Sequence, residues 1–200
     1  MFAVNFQVCK GTPRWSQRSY DVIFNHYIPA IILMLPEDGI KEYNPNSKDW
    51  RVALFANVVE KIQENDKLDF VPVIAHHDSL DHLAARYMWP LADFMKVENE
   101  DLPQIFFLHP ETHENVPFPV KMEKIEDFTP ELILLWAQKE KAEIEVATVK
   151  EMIEEAKNSL NQKETVGEGG DEWLDHLKHD LFKYEFLAQD FGEDYEAAKK

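Results

Sequence analysis

The sequence predicts an α/β fold, with a central mixed sheet flanked by helices and a C-terminal helical extension. Three observations predict it. Ala30-Ile31-Ile32-Leu33-Met34-Leu35 and Leu68-Asp69-Phe70-Val71-Pro72-Val73-Ile74-Ala75 are apolar runs of strand length, the pattern of strands buried on both faces of a sheet. Between them Val52, Phe55, Val58, Val59 and Ile62 fall on one helical face, which makes the two strands parallel members of a βαβ unit. From Thr129 to the C-terminus the composition is helical, with one glycine-rich interruption.

Composition narrows the function classes. Two hundred residues with 44% apolar and 12% aromatic content make one globular domain plus a substantial extension. The formal net charge of −17, from 21 basic and 38 acidic side chains, argues against nucleic-acid binding, which needs clustered Lys and Arg. Cys9 is the one cysteine, so a disulfide framework, a thiolate-rich zinc site and a two-cysteine redox cycle are excluded within these residues. The longest apolar run, Ile28 to Leu35, contains Pro29 and is far short of the ~20 residues of a membrane helix. A soluble protein without direct membrane insertion is expected.

The first twenty residues carry Lys10, Arg14 and Arg18 and no acid, a composition shared with organellar transit peptides. Phe2, Val4, Phe6 and Val8 alternate there with Ala3, Asn5 and Gln7, however, which predicts a half-buried strand. A secretory apolar core is missing, and Ala197-Ala198-Lys199-Lys200 is not a lumenal retention signal. The compartment is left open between the cytosol and an organelle such as the mitochondrion.

After a turn at Gly11-Thr12-Pro13, Ser19 is expected to cap a short helix running to Phe24, which Pro29 ends before the first central strand. Pro36-Glu37-Asp38-Gly39 and Asn44-Pro45-Asn46-Ser47 are loop chemistry, and Ser47 or Asp49 caps the next helix. A short helix over Ser79 to Tyr87 follows the second strand. A proline-led strand covers Leu102 to Leu108, with a return strand over Val116 to Met122 that Pro117 and Pro119 confine to a sheet edge. Thr129-Pro130-Glu131 reads as an N-cap with proline at the first helical position, and the helix it opens is expected to carry Leu132, Ile133, Leu135 and Trp136 into the core.

This order of elements resembles that of thioredoxin, and several details resemble its protein disulfide isomerase branch. Asp21-Val22-Ile23-Phe24-Asn25 before Pro29-Ala30-Ile31-Ile32-Leu33 is similar to the family's lead-in to its central strand. Leu102-Pro103-Gln104-Ile105 sits where such domains carry a cis-proline, so the resemblance implies a cis bond at Pro103. Asp127-Phe128-Thr129-Pro130-Glu131-Leu132 is similar to the opening of the family's last helix. The resemblance spans about residues 15–138. Active relatives place a Cys-x-x-Cys pair after the central strand, at a helix N-terminus that lowers the thiol pKa. This chain has Leu35-Pro36-Glu37-Asp38-Gly39-Ile40 there, which cannot exchange disulfides. Non-catalytic domains of the family bind peptides or act as scaffold parts, and the resemblance implies the same here.

Other constellations have plain structural readings. His76-His77-Asp78-Ser79-Leu80-Asp81-His82 is the densest set of metal-ligating types, but a strand end followed by a capped helix start accounts for it. His109 and His113 flank Pro110-Glu111-Thr112, where a loop tip needs no acid–base chemistry. Cys9 beside Lys10 reads as a small buried hydrophobe of a strand. Carboxylates such as Glu154-Glu155 and Glu193-Asp194 are too dispersed for calcium buffering of the calsequestrin kind. No catalytic residue, metal site or cofactor is expected.

The extension carries the functional signal. A fold of this kind needs about three turns of its last helix, roughly 11 residues, whereas helical composition continues from Thr129 to Leu160. Residues 1–138 are therefore assigned to the thioredoxin-like domain, 139–160 to the continuing helix, 161–170 to a linker and 171–200 to an amphipathic helix capped by Asp171. The continuing helix has an apolar stripe of Ile144, Thr148, Met152, Ile153, Ala156 and Leu160. The terminal helix has Leu174, Leu177, Leu181, Tyr184, Ala188 and Phe191 at 3,4 spacing, widened by Trp173, Phe182 and Phe186. So many aromatics exceed what a cover between two helices requires, so Trp173, Leu174, Leu177, Leu181, Phe182, Tyr184, Phe186 and Phe191 are expected to bind protein. The expected function is a redox-inactive, non-enzymatic subunit of a larger assembly whose partners are other protein subunits. The alternative is a peptide- or client-binding module using a groove near Pro103.

Overall fold

The computed structural model describes residues 15, 17–36, 49–65, 67–76, 95–162 and 170–199. The expected first strand at Phe2 to Val8, Cys9, the turn at 11–13, Ser47 and the helix over Ser79 to Tyr87 lie outside them. By contacts the chain forms two compact units, Met1–Ile133 and Leu134–Lys200.

In the first unit, a four-stranded mixed sheet is built from β1 (Ala30–Leu35), β2 (Val71–His76), β3 (Gln104–Leu108) and β4 (Asn115–Pro117), in the order β2-β1-β3-β4. The central strand β1 pairs parallel with β2, from Ala30 opposite Val71 to Leu35 opposite His76. On its other edge it runs antiparallel to β3, with Ile32 opposite Phe106. Strand β4 continues antiparallel, with Phe107 opposite Val116. All six residues of β1 and all five of β3 are buried, because helical segments and loops leave neither face to water.

Alternation along the strands divides the core into two layers. Ala30, Ile32, Met34, Val73, Ala75, Phe106 and Leu108 pack on one side with Trp15, Ile23, Met95 and Val97. Ile31, Leu33, Ile105 and Phe107 point to the other. Helix α1 (Gln17–Tyr20) runs into a π-helical turn, Asp21–Asn25, so Ser19 lies inside a helical segment and is not its cap. Helix α2 (Trp50–Glu64) buries Val52, Phe55, Val58, Val59 and Ile62, the expected face. Asp49 is its cap: the carboxylate accepts from the Arg51 backbone amide at 2.9 Å and from the Arg51 guanidinium at 2.8 and 2.6 Å.

Strand ends differ from expectation where proline removes a donor. β2 begins at Val71 rather than Leu68, because β1 starts only after Pro29, whose carbonyl accepts from the Val71 amide at 2.9 Å. β3 begins at Gln104, after Pro103. β4 stops at Pro117 instead of reaching Met122, since Pro117 and Pro119 offer no amide hydrogen to a ladder; Phe118 between them still donates to the Ile105 carbonyl at 2.8 Å.

Helix α3 spans Pro130–Gln162 and α4 spans Gly170–Ala198. Thr129 Oγ1 accepts from the Leu132 amide at 3.1 Å, the cap expected of a threonine before a first-turn proline. The boundary between the two compact units falls within α3, after Ile133. Leu134 is buried and Leu135 only half-buried, the reverse of expectation for that turn. Asp171 lies within helix α4, after Gly170, and is not its cap; residues 163–169 of the expected linker lie outside the described residues.

Candidate functional site

The second unit is an antiparallel pair formed by α4 and the part of α3 beyond Ile133. Val149, Ile153 and Ala156 of α3 form one cluster with Leu177 of α4, and Leu174, Leu181 and Tyr184 pack against it. The Lys150 ammonium meets Glu185 across the pair at 2.9 Å. Of the residues expected to contact other proteins, Leu177 is buried in this cluster and Leu174, Leu181 and Tyr184 are half-buried against it. The reason is geometric: at ~100° per residue they share one side of α4, and that side is the seam. On α3 the seam residue is Val149, whereas Met152 is exposed.

The remaining aromatics have a different fate. Phe182 is 73% exposed, Phe186 62% and Trp173 48%, while Leu177 is 6% exposed. Phe191 is half-buried. Phe182 and Phe186 lie about 140° and 180° around the helix from Leu177, on the face opposite the seam and one turn apart. The helix-to-helix seam covers one side of α4, and among the described residues the pair leaves Phe182 and Phe186 on the other side exposed.

At the far end of the seam Tyr195 is buried, and its hydroxyl has no hydrogen-bond partner among the described residues. Burial raises its pKa, partly offset by the Lys199 charge; the Lys199 ammonium sits 4.9 Å from its ring centroid. Lys139 hydrogen-bonds Glu143 at 2.8 Å and Glu140 at 3.1 Å. Burial works to lower the Lys139 pKa, but these carboxylates outweigh it and hold it above the ordinary lysine value. This constellation was missed in the sequence; the signal was present, since Tyr195 falls eighteen residues after Leu177, five whole turns along the same side.

In the sheet unit the Leu102–Pro103 peptide bond is cis and Pro103 is half-buried. Polar groups beside it are paired: Gln104 Nε2 donates to the Phe118 carbonyl at 2.9 Å and Gln104 Oε1 accepts from the Ile105 amide at 3.1 Å. His109 is buried rather than at an exposed tip. Its Nδ1 accepts from the Thr112 amide at 3.4 Å and lies 3.3 Å from Thr112 Oγ1, so the ring is committed to the β3–β4 turn. His113 adopts a left-handed φ of 60° and stacks edge-on against Phe24 at 5.7 Å. Of the histidine-rich stretch 76–82, only His76, at the end of β2, is among the described residues.

No protein-family model matches the chain, and no curated protein matches it significantly. No helix among the described residues is long and apolar enough to cross a membrane.

Proposed function

We propose that the chain is a redox-inactive, thioredoxin-like interaction subunit of a larger protein assembly, docked through the outer face of α4. The thioredoxin-like part of this reading is supported by the order of elements and by a sheet in which β1 and β2 are parallel and β3 runs antiparallel to β1 and β4. The redox-inactive part is supported by Cys9 being the one cysteine, because a lone thiolate cannot attack a disulfide and then be resolved within these residues.

The observation that carries the docking part is the exposure of Phe182 and Phe186 on a helix whose other side is already packed. Each large apolar side chain contributes about 1.5–3 kcal/mol when it leaves water, and aromatic anchors dominate protein interfaces. The contact set is therefore Phe182 and Phe186, with the four seam residues holding the helix that presents them; Trp173, four residues before Leu177, lies on the seam side.

Crosslinking mass spectrometry on the natively purified protein tests this reading. One constant neighbour linked to Lys178 and Lys183, and lost in Phe182→Ser/Phe186→Ser at unchanged melting temperature, is the expected result. Recovery of a lone monomer, or retention of the neighbour in the double variant, would overturn it; many unrelated weak neighbours would favour client binding instead. In an insulin-reduction assay no turnover is expected, and turnover that survives Cys9→Ser would refute the redox-inactive assignment.

A further inference from the structure

Helix α4 carries its own indication of the kind of partner it fits. Between Gly170 and Ala198 it holds nine acidic residues and two lysines. By helical periodicity Asp175, Asp190 and Glu193 share the outward sector with Phe182 and Phe186, together with His179 and Lys183. Glu193 accepts from the Gln189 amide at 2.9 Å. Asp175 meets Lys178 at 2.9 Å, but both side chains are largely exposed, and such a pair neutralises little. The Lys183 ammonium lies 5.3 Å from the Tyr184 ring centroid, toward the seam side. What remains outward is a two-phenylalanine ridge in a negative field.

That field selects among occupants. A second copy of this chain would bring net charge −17 and the same acidic sector against itself, and like charges across an interface are penalised. Anionic bilayers and nucleic acids are repelled for the same reason. Resting on the docking reading above, we propose that the outer face of α4 receives a basic amphipathic helix of a partner protein. Its apolar residues, spaced one turn apart, pack on Phe182 and Phe186, and its Lys or Arg side chains flank Asp175, Asp190 and Glu193. One turn of spacing on both sides is the geometry of helix ridges seated in helix grooves.

The test uses the full chain and two fluorescent peptides about 20 residues long, one of Leu and Lys in an amphipathic helical pattern and one with Glu in place of every Lys. The Leu/Lys peptide is expected to bind. Phe182→Ser/Phe186→Ser should weaken that binding about tenfold or more, whereas Tyr27→Ser, which removes an exposed aromatic of the sheet unit, should leave it unchanged. Asp190→Asn/Glu193→Gln should weaken it as well, and the wild-type difference between the peptides should shrink as salt rises from ~0.1 M to ~1 M and the Debye length falls from about 10 Å to about 3 Å. Binding indifferent to the phenylalanines would reduce the effect to unspecific charge attraction and overturn the proposal. Equal binding of the Leu/Glu peptide, or self-association that the phenylalanine variant abolishes, would also overturn it. If the native neighbour is lost in the phenylalanine variant while peptide charge makes no difference, this inference alone fails; if the native protein has no constant neighbour, the docking reading fails.

Discussion

The sheet unit and the helical pair solve burial in opposite ways. Every residue of β1 and β3 is buried, because a sheet has two faces and chain lies on both. The pair of α3 and α4 has a seam whose buried cluster is Val149, Ile153, Ala156 and Leu177. Apolar residues placed on a sheet strand are consumed by the fold, whereas those on a paired helix are consumed only on one side. Phe106 and Phe107 therefore report on stability, and Phe182 and Phe186 on what the molecule contacts.

The largest expected effect lies in the sheet. Phe107→Ala removes a fully buried ring that meets Phe70 edge-on at 6.3 Å, and should cost about 3–5 kcal/mol in denaturant unfolding. Leu177→Ala should cost less, about 2–3 kcal/mol, since a narrow seam collapses more readily than a closed core. Native-state hydrogen exchange should show protection lost in α4 and the α3 segment opposite, with the strands unchanged; an equal loss in the strands would show that the two units do not open independently.

Asp49→Ala removes the α2 cap and should cost about 1 kcal/mol at neutral pH. The hydrogen bond from the Arg51 guanidinium, opposed by burial and reinforced by the Arg51 amide, holds the Asp49 carboxyl below its ordinary value of 3.8. A carboxylate with a lowered native pKa contributes stability above its unfolded pKa and loses it as pH falls through the native value. The gap in melting temperature between wild type and Asp49→Ala should accordingly be constant near neutrality and narrow below about pH 4.

The smallest effect has the opposite sign. A Cβ at Gly192, inside α4, meets no atom within 4 Å, so Gly192→Ala should stabilise by about 0.5–1 kcal/mol through helix propensity alone. Thermal unfolding should place that gain in the helical pair; a loss would mean that the glycine side of α4 is covered.

Legibility in the sequence followed how local each determinant was. The buried face of α2 and the Thr129 cap are set within one or two turns, and both stand as read. The strands β1 and β2 were legible as continuous apolar runs, and the largest shifts of strand ends, at the starts of β2 and β3 and the end of β4, fall beside Pro29, Pro103 and Pro117. His109 could not be placed, since its burial comes from the geometry of the β3–β4 turn.

The terminal helix marks the division most clearly. Its apolar periodicity, its acidity and its surplus of aromatics belong to the sequence, because they depend only on residue types at helical spacing. Which of those residues face inward depended on the partner helix: the seam takes the side of Leu177 and Tyr195 and leaves Phe182 and Phe186 outside. Periodicity states that a helix has an apolar side, and the stripe here was wide enough to offer several. Only the packing of α4 against α3 chose one, since a single seam covers one side of a helix and the rest is left to solvent or to another protein.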